Sequence, residues 1–151
     1  MFRGAAKVTL DDKGRMVLPT RFRDPILNES RGKLLVTLGL EKCLLIYPQP
    51  AWEQVERTLM DLPSLIPQSQ LLQRLILGYA TELELDSHFR FLLPSELRSV
   101  AKLERQVMLV GQGNRIELWD EGRWNEQLGR WTGGELALAN LPPELRGVKL
   151  L

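Results

Sequence analysis

The sequence has few of the side chains from which catalytic and metal sites are usually built. Its 151 residues include one cysteine, Cys43, and one histidine, His88. A lone cysteine excludes a disulfide within the chain and a zinc site made of several cysteines, and a lone histidine excludes a histidine-rich metal site. We therefore interpret Cys43, which lies in the apolar run CLLIY, as a small buried thiol.

Motifs of common enzymatic and membrane functions are also missing. The sequence contains no glycine-rich phosphate loop, and its single histidine leaves little from which to build a Ser-His-Asp triad. No apolar run approaches the roughly 20 residues of a membrane-spanning helix, and the start, MFRGAAKVTL, lacks the apolar core of a secretory signal. We expect a cytoplasmic protein that is not an enzyme and has no cofactor, metal ion or small-molecule substrate.

Positive charge is concentrated near the N-terminus, although the whole chain carries a net charge of only +1. Residues 1 to 33 contain eight basic and four acidic side chains, so this segment carries +4 and the remainder −3. The asymmetry favours an anionic ligand for the first segment, although a mixed solvated surface would give a similar count. The basic residues are Arg3, Lys7, Lys13, Arg15, Arg21, Arg23, Arg31 and Lys33.

One unusual stretch occurs twice. LDDKGRMVLPTRFR, residues 10 to 23, returns as LDSHFRFLLPSELR, residues 85 to 98, with six identities including Arg23 with Arg98. The segments 34 to 52 and 106 to 124 then match in two apolar runs, the glycine between them and a closing tryptophan. The chain is therefore a tandem duplication. We assign residues 1–78 to a first unit with its connecting helices, 79–128 to a second unit, and 129–151 to a C-terminal tail.

The pattern of apolar and turn residues in each unit predicts the order strand, turn, strand, short helix, strand, turn, strand and helix. Strands of four to six residues do not hide their apolar faces in one unit alone, so we expect an α+β fold in which both units share one core, with flanking helices. Between the units, the segment QSQLLQRLILGY predicts another helix with one apolar face. This face would pack either inside the protomer or between protomers, and we favour the core of the protomer. That face consists of Leu71, Leu72, Leu75 and Ile76.

The repeated turn begins with aspartate and ends before arginine. Asp11 and Gly14 fit a type I turn closed by a glycine bulge, which would join the first two strands as a hairpin. In such a hairpin Asp11 stands opposite Arg15, and Asp86 stands likewise opposite Arg90. A cross-strand ion pair that stabilises its hairpin by about 0–1 kcal/mol would explain the two aspartates by structure alone.

For Arg15 we favour a functional role. Lys13 would lie at the tip of the turn, and Arg3 and Lys7 on the preceding strand. A guanidinium that a carboxylate holds in place suits contacts with phosphate, or with the O6 and N7 atoms of guanine in a major groove, which admits a two-stranded ribbon.

Several segments together resemble the MraZ family of bacterial transcriptional regulators, over residues 1 to about 128. They are MFRGA, LDDKGR followed by LPTRFR, IYPQPAW, QRLILGYA and LVGQGNRIELWDEGRW. The resemblance implies two swapped-hairpin units similar to those of the AbrB and SpoVT proteins, each marked by an Asp-x-x-x-Arg motif. It also implies a nucleoid-associated homo-oligomeric ring that binds short direct repeats in double-stranded DNA upstream of the division and cell wall gene cluster, its own promoter included, and usually represses it.

Carried over by position, the motifs are Asp11 to Arg15 and Asp86 to Arg90. The aspartates would orient the arginines, and the candidate DNA-binding residues are Arg15, Lys13, Arg3, Lys7, Gly14 and Arg90.

The second motif departs from the pattern of its relatives, which usually have glycines where Ser87 and Phe89 stand. A left-handed conformation at Phe89 would cost about 1–2 kcal/mol. We therefore expect a different geometry for the second turn and rank Arg90 below Arg15.

A non-catalytic oligomeric module that binds other proteins, such as an antitoxin-like scaffold, is the alternative, because it would share this fold. The two hypotheses differ in one respect. A ring that engages spaced DNA repeats binds more tightly as properly spaced repeats are added, whereas a scaffold does not.

Overall fold

A computed structural model describes residues 1–135 and 141–149 of the chain. The chain divides into two compact units, Met1–Glu121 and Gly122–Leu151. Within the described residues, all strands lie in the first unit.

The first half of the chain alternates strands and helices in the predicted order. Its elements are β1 (Ala5–Thr9), β2 (Arg15–Val17), a 3-10 turn (Thr20–Phe22), α1 (Arg23–Ser30), β3 (Lys33–Leu38), β4 (Leu44–Pro48) and α2 (Gln49–Met60). Pro48 and Pro50 lie at the start of α2, where a missing N–H costs nothing. The connecting helix α3 (Pro67–Leu72) continues into a π-helical turn, Gln73–Leu77.

The second half repeats this order. Its elements are β5 (Thr81–Glu84), β6 (Arg90–Leu92), α4 (Ser95–Val100), β7 (Gln106–Gly111), β8 (Ile116–Asp120) and α5 (Glu121–Arg130), followed by a wider helical turn at Trp131–Glu135 and a 3-10 turn at Pro143–Leu145. The tandem α+β arrangement that the sequence predicts is therefore confirmed.

The strands of the two repeats are interleaved in one antiparallel sheet with the order β1-β7-β8-β4-β3-β5. The first strand of each repeat pairs with the third strand of the other: β1 pairs with β7, and β5 with β3. The strands β4 and β8 join the two halves at the centre. Neither repeat therefore completes its own sheet.

The short strands β2 and β6 form a separate two-stranded antiparallel ribbon. The hairpin expected between β1 and β2 was wrong, because β1 pairs with β7 while β2 turns away to pair with β6. Exchange between repeats lets the ribbon bury Met16 against Phe91, each 2% exposed, on the shared core. The Asp-to-Arg turns thus lead from the sheet into the ribbon.

Two apolar clusters cover the two faces of the sheet. The larger holds buried residues from both repeats, among them Leu18 and Leu93, which confirms the shared core. The smaller, built on Tyr47, Trp52 and Leu59, lies where α2 packs on the sheet. Cys43 is buried, as the sequence predicts.

The helix after Pro67 follows its predicted burial only in part. Leu75 packs against the larger cluster, and Leu72 and Ile76 against the smaller. Leu71, however, is 52% exposed, so the preference for the core of the protomer was wrong at this residue. The helix widens to a π-helical turn from Gln73 onward, and this changes the angle between Leu71 and the apolar residues that follow.

Candidate nucleic-acid interface

The first Asp-to-Arg turn is closed by the carboxylate of Asp11. Its Oδ1 atom accepts hydrogen bonds from the backbone N–H groups of Lys13 and Arg15, both at 2.9 Å. Its Oδ2 atom accepts one from Nε of Arg15 at 2.7 Å. The backbone closes the same loop, because the Gly14 N–H donates to the Asp11 carbonyl at 3.0 Å. One side chain therefore shapes the turn and orients the arginine.

The second turn has the same bonding pattern. Oδ1 of Asp86 accepts from the N–H groups of His88 at 2.8 Å and Arg90 at 2.9 Å, and Oδ2 accepts from Nε of Arg90 at 3.0 Å. Phe89 has a φ of 60° where Gly14 has a φ of 88°. The expectation of a different geometry here was wrong, because Phe89 adopts the left-handed conformation.

A cation supports Phe89 in that conformation. The guanidinium of Arg23 lies 4.2 Å from the centre of the Phe89 ring, and its Nε donates to the Leu18 carbonyl at 2.8 Å. A cation–π contact at a partly exposed site contributes about 0.5–1 kcal/mol, which offsets part of the strain. The strain comes from the Cβ atom of Phe89, and the ring that this atom carries supplies the contact with Arg23.

Arg98 takes the equivalent place over the first turn. Its Nε donates to the Leu93 carbonyl at 3.2 Å, and a Cβ atom built on Gly14 would lie 2.6 Å from that same Nε. Gly14 is therefore favoured both by its positive φ and by the arginine packed on it. Sequence reasoning missed the role of Arg23 and Arg98, although their identity in the repeat was the signal.

The turns also lower the pKa values of their aspartates. The hydrogen bond from the Arg15 N–H, assisted by the Arg15 side chain and the Lys13 N–H, lowers the pKa of Asp11 from 3.8 to about 2. The N–H of Arg90 is the main cause that lowers the pKa of Asp86. Both groups are carboxylates at neutral pH, as a fixed ion pair with arginine requires.

The outer face of the β2–β6 ribbon carries both motif arginines. Arg15 lies opposite Leu92, and Arg90 lies opposite Val17, so the two arginines occupy diagonal positions about 7–8 Å apart. Both arginine side chains are 39% exposed. Their terminal amino groups make no hydrogen bond within the described part of the chain. The ribbon therefore presents two oriented guanidinium groups on one surface.

The remaining predicted residues lie at different distances from this surface. Lys13 is exposed at the tip of the first turn. Arg3 precedes β1, whereas the first Asp-to-Arg turn follows β1. The strand therefore separates Arg3 from the turn by about 13 Å. Lys7 forms an ion pair with Glu121 at 3.0 Å. The ribbon brings Arg15 and Arg90 onto one face, Lys13 lies at the turn beside Arg15, and Arg3 lies outside the group.

Clusters of metal ligands and membrane-spanning helices are both absent from residues 1–135 and 141–149. No group of three or more His, Cys, Asp or Glu side chains there could hold a metal ion. No helix in the same ranges is long and apolar enough to cross a bilayer.

The sequence is similar to that of known proteins over nearly its whole length. The family model of the MraZ protein, which is described as antitoxin-like, matches twice, at residues 1–75 and 76–132. The transcriptional regulator MraZ of Thioalkalivibrio sulfidiphilus is 50% identical over 87% of each chain. The proteins of that name from Coxiella burnetii and Pseudomonas aeruginosa are 48% and 45% identical, over 99% of this chain and 100% of theirs. The chain therefore belongs to the MraZ family.

Proposed function

We propose that the chain is a transcriptional regulator, and not an enzyme, that binds double-stranded DNA through the outer face of the β2–β6 ribbon. One observation carries the proposal: two equivalent turns hold Arg15 and Arg90 on one exposed surface, each by its own aspartate. The names of the relatives support the regulatory role.

The ribbon matches the chemistry and size of a major groove. That groove is about 12 Å wide and admits a two-stranded ribbon. Each guanidinium is held through Nε, so its terminal amino groups are left to donate to a guanine edge or a phosphate. Because the two turns share one geometry, we expect Arg90 to contribute to DNA binding as much as Arg15 does.

The proposed target is a set of short direct repeats upstream of the division and cell wall genes, its own promoter included, where binding represses transcription. One ribbon reaches few phosphates, so a single subunit binds weakly and loses affinity as the salt concentration rises. A ring of subunits on several repeats raises the effective concentration for each later contact. Such a regulator acts in the cytoplasm, on the nucleoid.

Replacement of the motif arginines tests the proposal. In gel-shift titrations with DNA from upstream of the chain's own gene, we expect Arg15→Ala and Arg90→Ala each to weaken binding by about 10- to 100-fold, the range of one specific base contact. Arg57→Ala removes an exposed arginine of α2 and serves as the matched control, with unchanged affinity expected. Native affinity in both motif variants would contradict the proposal.

Repeat number separates this proposal from the alternative function. The alternative is a scaffold that binds other proteins, and the antitoxin-like description of the family is the observation in its favour. We expect affinity to rise steeply from one repeat to several, and to fall when the spacing is altered. A scaffold would show no dependence on repeat number and would bind the DNA no better than an unrelated fragment.

A further inference from the structure

Two apolar side chains lie exposed between the motif arginines. Val17 is 42% exposed and Leu92 is 52% exposed, on the same outer face as Arg15 and Arg90. The outward positions of a strand with one buried face are usually polar. The inward side of this ribbon already supplies its apolar contact with the core. The exposed pair therefore calls for an explanation other than folding.

We propose that Val17 and Leu92 recognise thymine by contact with its C5-methyl group, beside guanines that the arginines bind. This inference rests on the proposed function. The methyl group is the one apolar feature that a base pair presents in the major groove, and an apolar side chain is what binds it.

The register of the ribbon predicts how the contacts are spaced. Each arginine has an apolar residue directly across the ladder, Arg15 with Leu92 and Arg90 with Val17. The Cβ atoms of such pairs lie about 4.5–5.5 Å apart, which is between one and two base-pair steps of about 3.4 Å, and the arginine side chain is long enough to reach the adjacent base pair. Each pair therefore fits a guanine and a neighbouring thymine. The two pairs are related by the pseudo-twofold axis of the repeat.

The charges on this face favour DNA over a second copy of the same face. Asp11 and Asp86 are already paired with their own arginines, so they are weak partners for the arginines of a second copy. Packing two such faces together would bring arginines against arginines, which costs free energy. A polyanion with exposed methyl groups satisfies both the cations and the apolar pair.

The test replaces thymine by deoxyuridine, which removes only the C5-methyl group. Each thymine of the DNA upstream of the chain's own gene is replaced in turn, and affinity is measured by gel shift. We expect about fourfold weaker binding at each contacted thymine, as burial of one methyl group predicts. In Val17→Ala the loss of affinity should disappear at one of the contacted thymines, and in Leu92→Ala it should disappear at a different one. Leu65→Ala, which alters a residue 92% exposed, is the control and should keep the full loss.

The outcomes separate the inference from the proposed function. If the native protein binds specifically but tolerates deoxyuridine everywhere, the inference is wrong and the proposed function stands. If the native protein shows no specific binding, both fail. Subunit number is measured by light scattering for Val17→Ala and Leu92→Ala. A change in it would identify the face as an interface between copies and overturn the inference. The comparison on the native chain remains decisive even if a variant does not fold.

Discussion

Two different residues, Gly14 and Phe89, occupy the same left-handed position in the two turns. At Gly14 the conformation is free of strain, and the vacant space is filled by Arg98. At Phe89 the strain is real, and the contact of its ring with Arg23 offsets part of it. The aspartate carboxylates close both turns in the same way. Their hydrogen bonds override the preference of Phe89 for a backbone with negative φ.

Replacement of Phe89 separates strain from the ring contact. Phe89→Gly and Phe89→Ala both lose the contact with Arg23, but only the alanine keeps the strained conformation. We expect the glycine variant to be more stable than the alanine variant by about 1 kcal/mol, measured by urea unfolding. Equal stability of the two variants would show that the left-handed conformation at this position carries no cost.

The depressed pKa of Asp11 predicts acid sensitivity of the first turn. Since the folded pKa is about 2 and the unfolded value 3.8, the carboxylate stabilises the folded state above pH 3.8. That contribution decreases as the pH falls from 3.8 through about 2. The Asp11 carboxyl resonance in an NMR titration should have its midpoint near 2. The Asp11→Asn variant should show a weaker dependence of unfolding free energy on pH across this window, and an unchanged dependence would contradict the assignment.

At the scale of the element, the two faces of the β2–β6 ribbon have different roles. The inner face packs on the core, and the outer face carries the proposed contacts with DNA. Alternation along β2 puts Met16 inward and Arg15 and Val17 outward. Because each strand has only three residues, the ribbon depends on its inward pair for attachment to the core.

Neighbouring substitutions in β2 test this division. We expect Met16→Ala to lower the free energy of unfolding by about 2–5 kcal/mol, since it leaves a cavity in the core. Val17→Ala, the matched control one residue away, should change it by less than about 1 kcal/mol because the side chain is already 42% exposed. Chemical denaturation of both variants measures the difference. Similar losses would mean that the outer face is also structural.

At the scale of the whole molecule, interleaving makes the two repeats depend on each other. A chain that ended after the first repeat would lack β7 as the partner of β1 and β6 as the partner of β2. The buried residues of the larger cluster likewise come from both repeats.

Separate expression of the repeats tests this dependence. We expect fragments 1–78 and 79–151 to be unfolded alone and to gain structure when mixed, as each supplies strands that the other lacks. Circular dichroism of the separate and mixed fragments measures the gain. Cooperative unfolding of either isolated fragment would contradict the expectation. The divisions after residues 78 and 128 themselves stay predictions.

Much of the local structure could be predicted, because local signals specify it. The repeat specified the order of elements, and apolar runs specified the strands. The spacing of Asp11 and Arg15 predicted their ion pair. The second turn could not be predicted in this way, since residue preference at Phe89 argues against the conformation that its hydrogen bonds impose.

The sequence by itself determined the duplication, the α+β class and the two Asp-Arg motifs, since each is visible in the order of residues along the chain. Only the tertiary structure decided that β2 pairs with β6, which places Arg15 and Arg90 on one face with Val17 and Leu92 between them. The physical reason is that strand pairing and register depend on contacts between residues far apart in the chain. Local periodicity specifies which face of a strand is buried, but not which strand lies beside it.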